Sequence, residues 1–279
     1  MTTDQRLGQI AGALSAAGVD ALVMGGHAVR YYGVDRNTVD FDFYAGVGTT
    51  DEVRNRLNGS QMLAGLREGP SWRSGDFVRF ELGKLPDGRE EWLEFWVHNH
   101  LLADFRSVRE RGERGTYGGA ELQFLSLPDL MRSKETEREG DWRDIELLEE
   151  IFDARNLAAA SGLESVTKLI SQLRSRRGFE RAKVQGVFND RAVVQAAAAS
   201  CQHPVSYAFV VPLMDGITPA PALRCAIDKT LIEPLRIASF GEPRHLMLVE
   251  LVRRAYKRWA MEIDRQDKQQ RLTSKSTQS

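Results

Sequence analysis

The chain has 279 residues, enough for one large or two ordinary domains, and its 42% hydrophobic and 28% charged residues are typical of a globular protein. It contains no apolar run of the length that a membrane span needs, and its beginning, MTTDQRLGQI, lacks the layout of a signal peptide. Two cysteines, Cys201 and Cys225, are too few for a disulfide framework or a cysteine-based metal site, so we expect a cytoplasmic protein with no membrane partner.

The net charge of −1 conceals a division along the chain. Residues 1–159 contain 19 Lys and Arg against 28 Asp and Glu, whereas residues 160–279 contain 19 against 11. An acidic first half suits cations and a basic second half suits a polyanion, although two solvated surfaces would give the same counts.

Hydrophobic periodicity and turn residues predict alternating helices and strands in the first half of the chain. Helices are expected at 2–19, 27–33, 50–59, 127–137 and 141–156, and strands at 21–24, 38–46, 77–83, 90–97 and 120–126, with KLPDGR turning a hairpin. We therefore expect an α/β (α+β) domain at 1–157, with a mixed sheet and flanking helices. A mainly helical domain at 158–265 and a disordered polar tail at 266–279 are expected to follow.

The segment VDFDF places two carboxylates on one face of a strand. Side chains alternate along a strand, so Asp40 and Asp42 share a face while Phe41 and Phe43 share the other. Like charges this close raise each other's pKa unless a cation lies between them, and Mg²⁺ prefers oxygen ligands. A solvated acidic face would give the same pattern.

Two glycines precede this strand by one short helix. Gly25 and Gly26 permit a sharp turn and a close approach to the backbone, and the free amides at the start of a helix suit phosphate. Alone, the pair is an ordinary strand-to-helix turn. Together with the paired carboxylates, it predicts binding of a metal–nucleotide complex.

The stretch GGHAVRYYGVDRNTVDFDFY, residues 25–44, resembles the nucleotidyltransferase superfamily that includes polymerase β, and in its fuller form the AbiEii-type toxins and MNT-like relatives. The matching positions are Gly25, Gly26, Ala28, Tyr32, Gly33, Arg36, Thr38, Asp40 and Asp42. The resemblance implies a nucleotidyltransferase fold with a third carboxylate on a neighbouring strand. Glu94 in WLEFWV is the candidate, where the family more often has Asp, and Glu91 is out of phase and expected at the surface.

A second block, LPDLMRSKETEREGDWRDIELL, completes the resemblance through Leu127, Asp129, Leu130, Lys134, Arg138, Asp141 and Asp144. Lys134 and Arg138 are four residues apart, so on a helix they would face the same way and contact a triphosphate. Asp141 and Asp144 are expected to hold these cations in place. Without the first block, a surface helix with ion pairs would explain the pattern as well.

The resemblance implies transfer of a nucleoside monophosphate from an NTP to an acceptor hydroxyl, with Mg²⁺ or Mn²⁺ as cofactor. Asp40, Asp42 and Glu94 are the expected catalytic and metal residues, joined by Lys134 as a further catalytic residue. The nucleotide is expected to contact Gly25, Gly26, Arg36, Thr38, Lys134, Arg138 and Asp141.

RNA, notably the 3′ end of tRNA, is the expected acceptor, and the protein is expected to act as a toxin in a toxin–antitoxin or phage-defence system with a cognate antitoxin. Basic clusters at 174–183 and 253–258 favour RNA, and Tyr256 and Trp259 lie within or beside the second cluster. Three alternatives stay open: a protein acceptor, a small-molecule acceptor as in aminoglycoside nucleotidyltransferases, and a catalytically inactive binding partner.

Overall fold

A computed structural model describes residues 2–71, 75–99, 101–134, 138–187 and 189–190. Its helices are α1 (Thr3–Ala16), α2 (Gly25–Tyr31), α3 (Thr50–Asn58), α4 (Phe105–Arg111), α5 (Leu127–Ser133), α6 (Glu139–Ala159), α7 (Leu163–Gln172) and α8 (Arg176–Val184). Its strands are β1 (Ala21–Val23), β2 (Phe41–Ala45), β3 (Arg67–Glu68), β4 (Phe77–Lys84), β5 (Glu90–Trp96), β6 (Glu113–Tyr117) and β7 (Ala120–Phe124). Every element predicted for the first half is present, whereas α4, β3 and β6 were not predicted.

The strands form one mixed sheet in the order β3-β4-β5-β2-β1-β7-β6. The β2–β5 and β1–β7 pairs are parallel and the others antiparallel. Because β2 and β5 are parallel neighbours, the same ends of the two strands lie next to each other in the sheet. The expected mixed α/β sheet with flanking helices is confirmed.

Helix α1 begins with a capping box. Thr2 is the N-cap, and its hydroxyl accepts the N–H of Gln5, whose side chain accepts the N–H of Thr2 in return. Leu7, Ile10 and Leu14 form the buried stripe of the helix, as their helical spacing predicts.

One face of the central strands belongs to the hydrophobic core. Phe41 and Phe43 of β2 and Phe95 of β5 are fully buried, and the imidazole of His27 stacks on Phe41 with ring centroids 5.1 Å apart. Glu91 also lies on this side, where it is 4% exposed and forms an ion pair with Arg6. The expectation that Glu91 lies at the surface was therefore wrong, because an arginine of α1 neutralises its buried charge.

The chain divides into two compact units, residues 1–134 and a second unit that begins at residue 135. This division precedes the predicted boundary at 157, so that α6 belongs to the second unit. In that unit, Leu157 of α6, Leu169 of α7 and Ala182 of α8 pack in one hydrophobic cluster, and Asp153 accepts the backbone N–H of Ser175 at the start of α8. The tail at 266–279 and most of the predicted helical domain lie outside the described residues and stay predictions.

No helix within the described ranges has both the length and the apolar character needed to cross a membrane.

Candidate functional site

The parallel pairing of β2 with β5 sets two acidic residues side by side. Asp42 and Glu94 are direct partners in the register, one step beyond the pair formed by Phe41 and Leu93. Alternation along each strand turns the phenylalanine and leucine into the core and leaves both carboxyl groups on the opposite face. This face of the sheet is called the acidic face below.

Asp40 lies immediately before β2, at the same end of the strand pair. Its Oδ1 accepts the backbone N–H of Trp92, with 3.3 Å between the two atoms. Its negative charge also raises the pKa of Glu94, which places Asp40 within electrostatic reach of that carboxyl group. The structure thus places Asp42 and Glu94 in contact, with Asp40 at the same end of the strand pair.

Asp42 and Glu94 share one proton. Burial, followed by the negative charge of Asp42, raises the pKa of Glu94 to about 9. Burial also raises the pKa of Asp42, although a hydrogen bond from Glu94 and the charge of Lys134 act in the opposite direction. The hydrogen bond between Glu94 and Asp42 therefore holds a proton between the two carboxyl groups, which titrate as a pair.

The glycine pair lies directly against this carboxylate. Gly25 has a φ of +60°, and a Cβ atom at this position would overlap the Asp42 side chain. A Cβ atom at Gly26 would overlap Thr38, and the backbone N–H of Gly26 donates to Asp42. The two glycines bring the start of α2 into contact with Asp42, and only residues without a side chain fit there.

Two predicted cationic residues of the first unit also lie near Asp42. Lys134 follows the last residue of α5 and is 6% exposed, and its charge lowers the pKa of Asp42. Arg36, in the segment between α2 and β2, lowers the same pKa. Positive charge is thus present beside Asp42.

The expected helix that would carry Lys134 and Arg138 on one face is not formed. Helix α5 ends at Ser133 and α6 begins at Glu139, with Arg138 as its N-cap. Arg138 forms a 3.9 Å ion pair with Asp141 within the second unit. The premise that the two residues share a helix face was therefore wrong, because Lys134 is the C-cap of α5 and Arg138 the N-cap of α6, and their contact with a triphosphate stays a prediction.

Sequence reasoning missed Arg79. This residue of β4 pairs with Glu94 on the side of β5 away from Asp42, and its Nη1 lies 3.9 Å from Glu94 Oε1. Its guanidinium carbon lies 4.2 Å from the ring centroid of Trp92. The predicted hairpin implied that β4 lies beside β5, but it did not determine which residue of β4 pairs with Glu94.

The carboxyl groups of the acidic face suit a hard divalent cation in chemical type, since all are oxygen donors and two of them share a proton that a cation would replace. As they stand, no three His, Cys, Asp or Glu side chains among the described residues are grouped so that they could hold a metal ion. Binding would therefore require the Asp42–Glu94 hydrogen bond to open.

No protein-family model matches the chain, and no curated protein is significantly similar to it. Solved structures similar to it include an antigenic nucleotidyltransferase-like protein from Paracoccidioides brasiliensis, with 18% identity over 73% of this chain and 94% of that chain, and a TM-score of 0.37. JHP933 from Helicobacter pylori is 11% identical over 96% of both chains, with a TM-score of 0.35. The assignment of a function therefore rests on the site itself.

Proposed function

We propose that this protein is a nucleotidyltransferase that transfers a nucleoside monophosphate from an NTP to an acceptor hydroxyl and releases pyrophosphate. The observation that carries the proposal is the contact of Asp42 with Glu94 across the β2–β5 pair, with Asp40 at the same end and within electrostatic reach of Glu94. Two carboxyl groups forced to share a proton cost stability, and this cost is characteristic of sites that use the charge for chemistry.

A divalent cation, Mg²⁺ or Mn²⁺, is part of this proposal. Asp40, Asp42 and Glu94 would hold it, because carboxylate oxygens are its preferred ligands. When bound, such cations neutralise charge on the attacking and leaving oxygens of the phosphoryl transfer.

The chain's own residues then position the reactants. The acceptor oxygen forms a bond to the α-phosphorus while the bond from that phosphorus to the bridging oxygen breaks, and pyrophosphate leaves. The shared proton leaves to solvent when the cation binds, and Glu94, then a carboxylate, accepts the proton of the hydroxyl. Lys134 and Arg36 oppose the negative charge of the phosphates, and the bare backbone at Gly25 and Gly26 lets the start of α2 approach Asp42 closely.

RNA is the acceptor that we propose. Arg177, Arg181 and Lys183 are exposed on α8, and Arg177 also pairs with Glu150 at 2.9 Å. A basic surface of this kind binds a phosphate backbone with an affinity that falls as salt increases. The second basic cluster, 253–258, with Tyr256 and Trp259, lies outside the described residues. Affinity for tRNA that does not change with salt concentration would contradict an RNA acceptor.

The test is incubation of the full chain with Mg²⁺, total tRNA and each of the four α-labelled NTPs. We expect label to enter tRNA with wild type and not with Asp42→Asn, which preserves the shape of the side chain. Glu150→Gln, on α6 of the second unit, is the control that retains labelling. Wild type that labels neither tRNA, protein nor a hydroxylated drug would support an inactive binding partner instead.

A role as a toxin with a cognate antitoxin is supported by the resemblance of residues 25–44 to AbiEii-type toxins. We expect expression of wild type to arrest bacterial growth and expression of Asp42→Asn to leave growth unaffected. If both proteins arrest growth, toxicity does not depend on nucleotidyl transfer, and this role would be contradicted.

A further inference from the structure

Glu94 lies in a row of three charged residues that crosses three strands. Asp42 of β2 pairs with Glu94 of β5, and Arg79 of β4 pairs with Glu94 from the other side. Glu94 Oε1 lies 3.9 Å from Arg79 Nη1, while the carboxyl group is hydrogen-bonded to Asp42. The carboxyl group of Glu94 therefore lies between the guanidinium of Arg79 and the carboxyl group of Asp42.

The guanidinium of Arg79 is held in place by its surroundings. It lies over the indole of Trp92 at 4.2 Å from the ring centroid, and its Nε donates to the carbonyl of Pro70 over 2.9 Å. Trp92 is fixed in turn, because a Cβ atom at Gly69 would overlap its ring. The backbone N–H of Trp92 donates to Asp40, so this one residue contacts both ends of the site.

A glutamate needs such support more than an aspartate does, because its longer side chain has an additional rotatable bond and more rotamers to lose. We propose that Arg79, supported by the indole of Trp92, is a positioning residue that fixes one oxygen of Glu94 so that the other faces Asp42 and a bound cation. This role rests on the proposed function. Positioning of Glu94 by Arg79 would strengthen the binding of a metal ion. The positive charge of Arg79 would by itself weaken it, because two cations repel each other.

These two effects predict opposite results, which makes the role testable. The probe is Mn²⁺ alone, titrated without nucleotide into the full chain and followed by the electron paramagnetic resonance signal of free Mn²⁺. Arg79→Met removes the guanidinium but keeps most of the side-chain volume. We expect it to weaken Mn²⁺ binding by about 10- to 100-fold, the usual cost of losing a partner that orients a metal ligand.

Trp92→Leu keeps the backbone N–H that Asp40 accepts but removes the support beneath Arg79. We expect it to weaken Mn²⁺ binding in the same direction, and the double variant to bind no more weakly than Arg79→Met, because the two residues act through one contact. Arg67→Met is the matched control. Arg67 belongs to the neighbouring strand β3, pairs with Glu81 and is 75% exposed, so we expect wild-type affinity.

Arg79→Lys tests the proposal with the charge retained, and thermal melting verifies that each variant is folded. Lysine cannot lie flat on an indole and donate in a fixed plane, so weaker binding is expected here too. Unchanged or tighter Mn²⁺ binding by Arg79→Met, or wild-type affinity in Arg79→Lys, would overturn the positioning role. If wild type binds Mn²⁺ and Asp42→Asn does not, that result would leave the proposed function standing. Wild type that binds no Mn²⁺ would contradict both.

Discussion

Two glutamates of β5 lie three residues apart in opposite surroundings. Glu91, on the core side, is 4% exposed and forms an ion pair with Arg6 of α1. Glu94, on the acidic face, is flanked by Asp42 and has Asp40 within electrostatic reach, and its pKa is raised to about 9. The more buried glutamate has a compensating arginine in direct contact, whereas the less buried one has two acidic neighbours and an arginine, Arg79, 3.9 Å away.

Burial alone therefore does not distinguish a functional carboxyl group from a structural one. A buried ion pair costs desolvation but fixes α1 against the sheet, which is a structural role. Adjacent carboxyl groups that share a proton lower the stability of the folded protein, and their retention is characteristic of a site where chemistry uses them. The difference between Glu91 and Glu94 yields pairs of matched variants.

The largest expected effect is on activity. Glu94→Gln keeps the size and hydrogen-bonding capacity of the side chain but removes a carboxylate, and we expect nucleotidyl transfer to fall by about 100- to 1,000-fold, as when one electrostatic contact to a reacting group is lost. Glu91→Gln, on the same strand, is expected to retain most activity. Initial rates with labelled NTP measure both. Equal losses in the two variants would mean that the acidic face has no special role.

The second expected effect concerns the backbone beside Asp42. Gly25→Ala adds a Cβ atom that would overlap Asp42 at a φ of +60°, so we expect both lower stability and a loss of activity. Gly33 also has a positive φ, +102°, but its Cβ atom would meet nothing within 4 Å.

Gly33→Ala is therefore the control for backbone strain, with an expected cost of about 1–2 kcal/mol in the free energy of unfolding and little change in activity. Thermal melting and the labelling assay separate the two effects. Similar activity in the two variants would contradict the importance of the Gly25–Asp42 contact.

The third effect is on stability. The pKa of Glu94 is higher in the folded protein, about 9, than its ordinary 4.5, so between these values the folded state binds more protons than the unfolded state. The free energy of unfolding therefore decreases as pH rises through this range. We expect Glu94→Gln to be more stable than wild type above neutral pH, by about 0.5–2 kcal/mol. Proteins often gain stability when a functional residue is replaced.

Urea unfolding near pH 6 and near pH 9, with and without Mg²⁺, measures this effect. Mg²⁺ is expected to restore the stability that wild type loses at the higher pH and to leave Glu94→Gln unchanged. Glu91→Gln is expected to be less stable than wild type at both pH values, because it weakens the pair with Arg6. Wild type and Glu94→Gln that lose stability in parallel would contradict the shared proton.

The strand positions of the acidic residues could be predicted from the sequence, because they depend on local periodicity. Alternation in VDFDF and WLEFWV predicted which residues of each strand share a face, and the register of β2 with β5 agrees with it. Arg79 could not be predicted in this way. A bulge between Glu81 and Gly83 shifts the hairpin register, and without that shift Phe80 would pair with Glu94. A bulge depends on tertiary packing, and one residue of slip exchanges the faces of a strand.

The second error has a different cause. The stretch around residues 127–144 has charged residues at helical spacing throughout, so periodicity favoured a continuous face for Lys134 and Arg138. No glycine or proline directly follows Ser133 to mark the end of α5 in the sequence. Glu91 was misplaced for a third reason, because its partner Arg6 is 85 residues away in the sequence.

The last expected effect concerns the core side of the sheet at mildly acidic pH. Burial lowers the pKa of His27 to about 4, with Arg30 and Arg36 acting in the same direction and Asp4 against them. Its Nδ1 lies 3.3 Å from the Tyr117 hydroxyl, and its buried Nε2 has no hydrogen-bond partner among the described residues. The unfolded chain binds the proton more readily, so stability falls as pH decreases from 6.5 towards 4.

The expected slope from this group is at most about 1.4 kcal/mol per pH unit. His27→Phe preserves the stacking on Phe41 and removes the titrating group, so its urea midpoint should change less between these pH values. The same slope in both proteins would mean that acid sensitivity arises elsewhere. A weaker slope in His27→Phe, with the pH dependence above neutrality unchanged, would assign the acid response to the core side and the alkaline response to the acidic face.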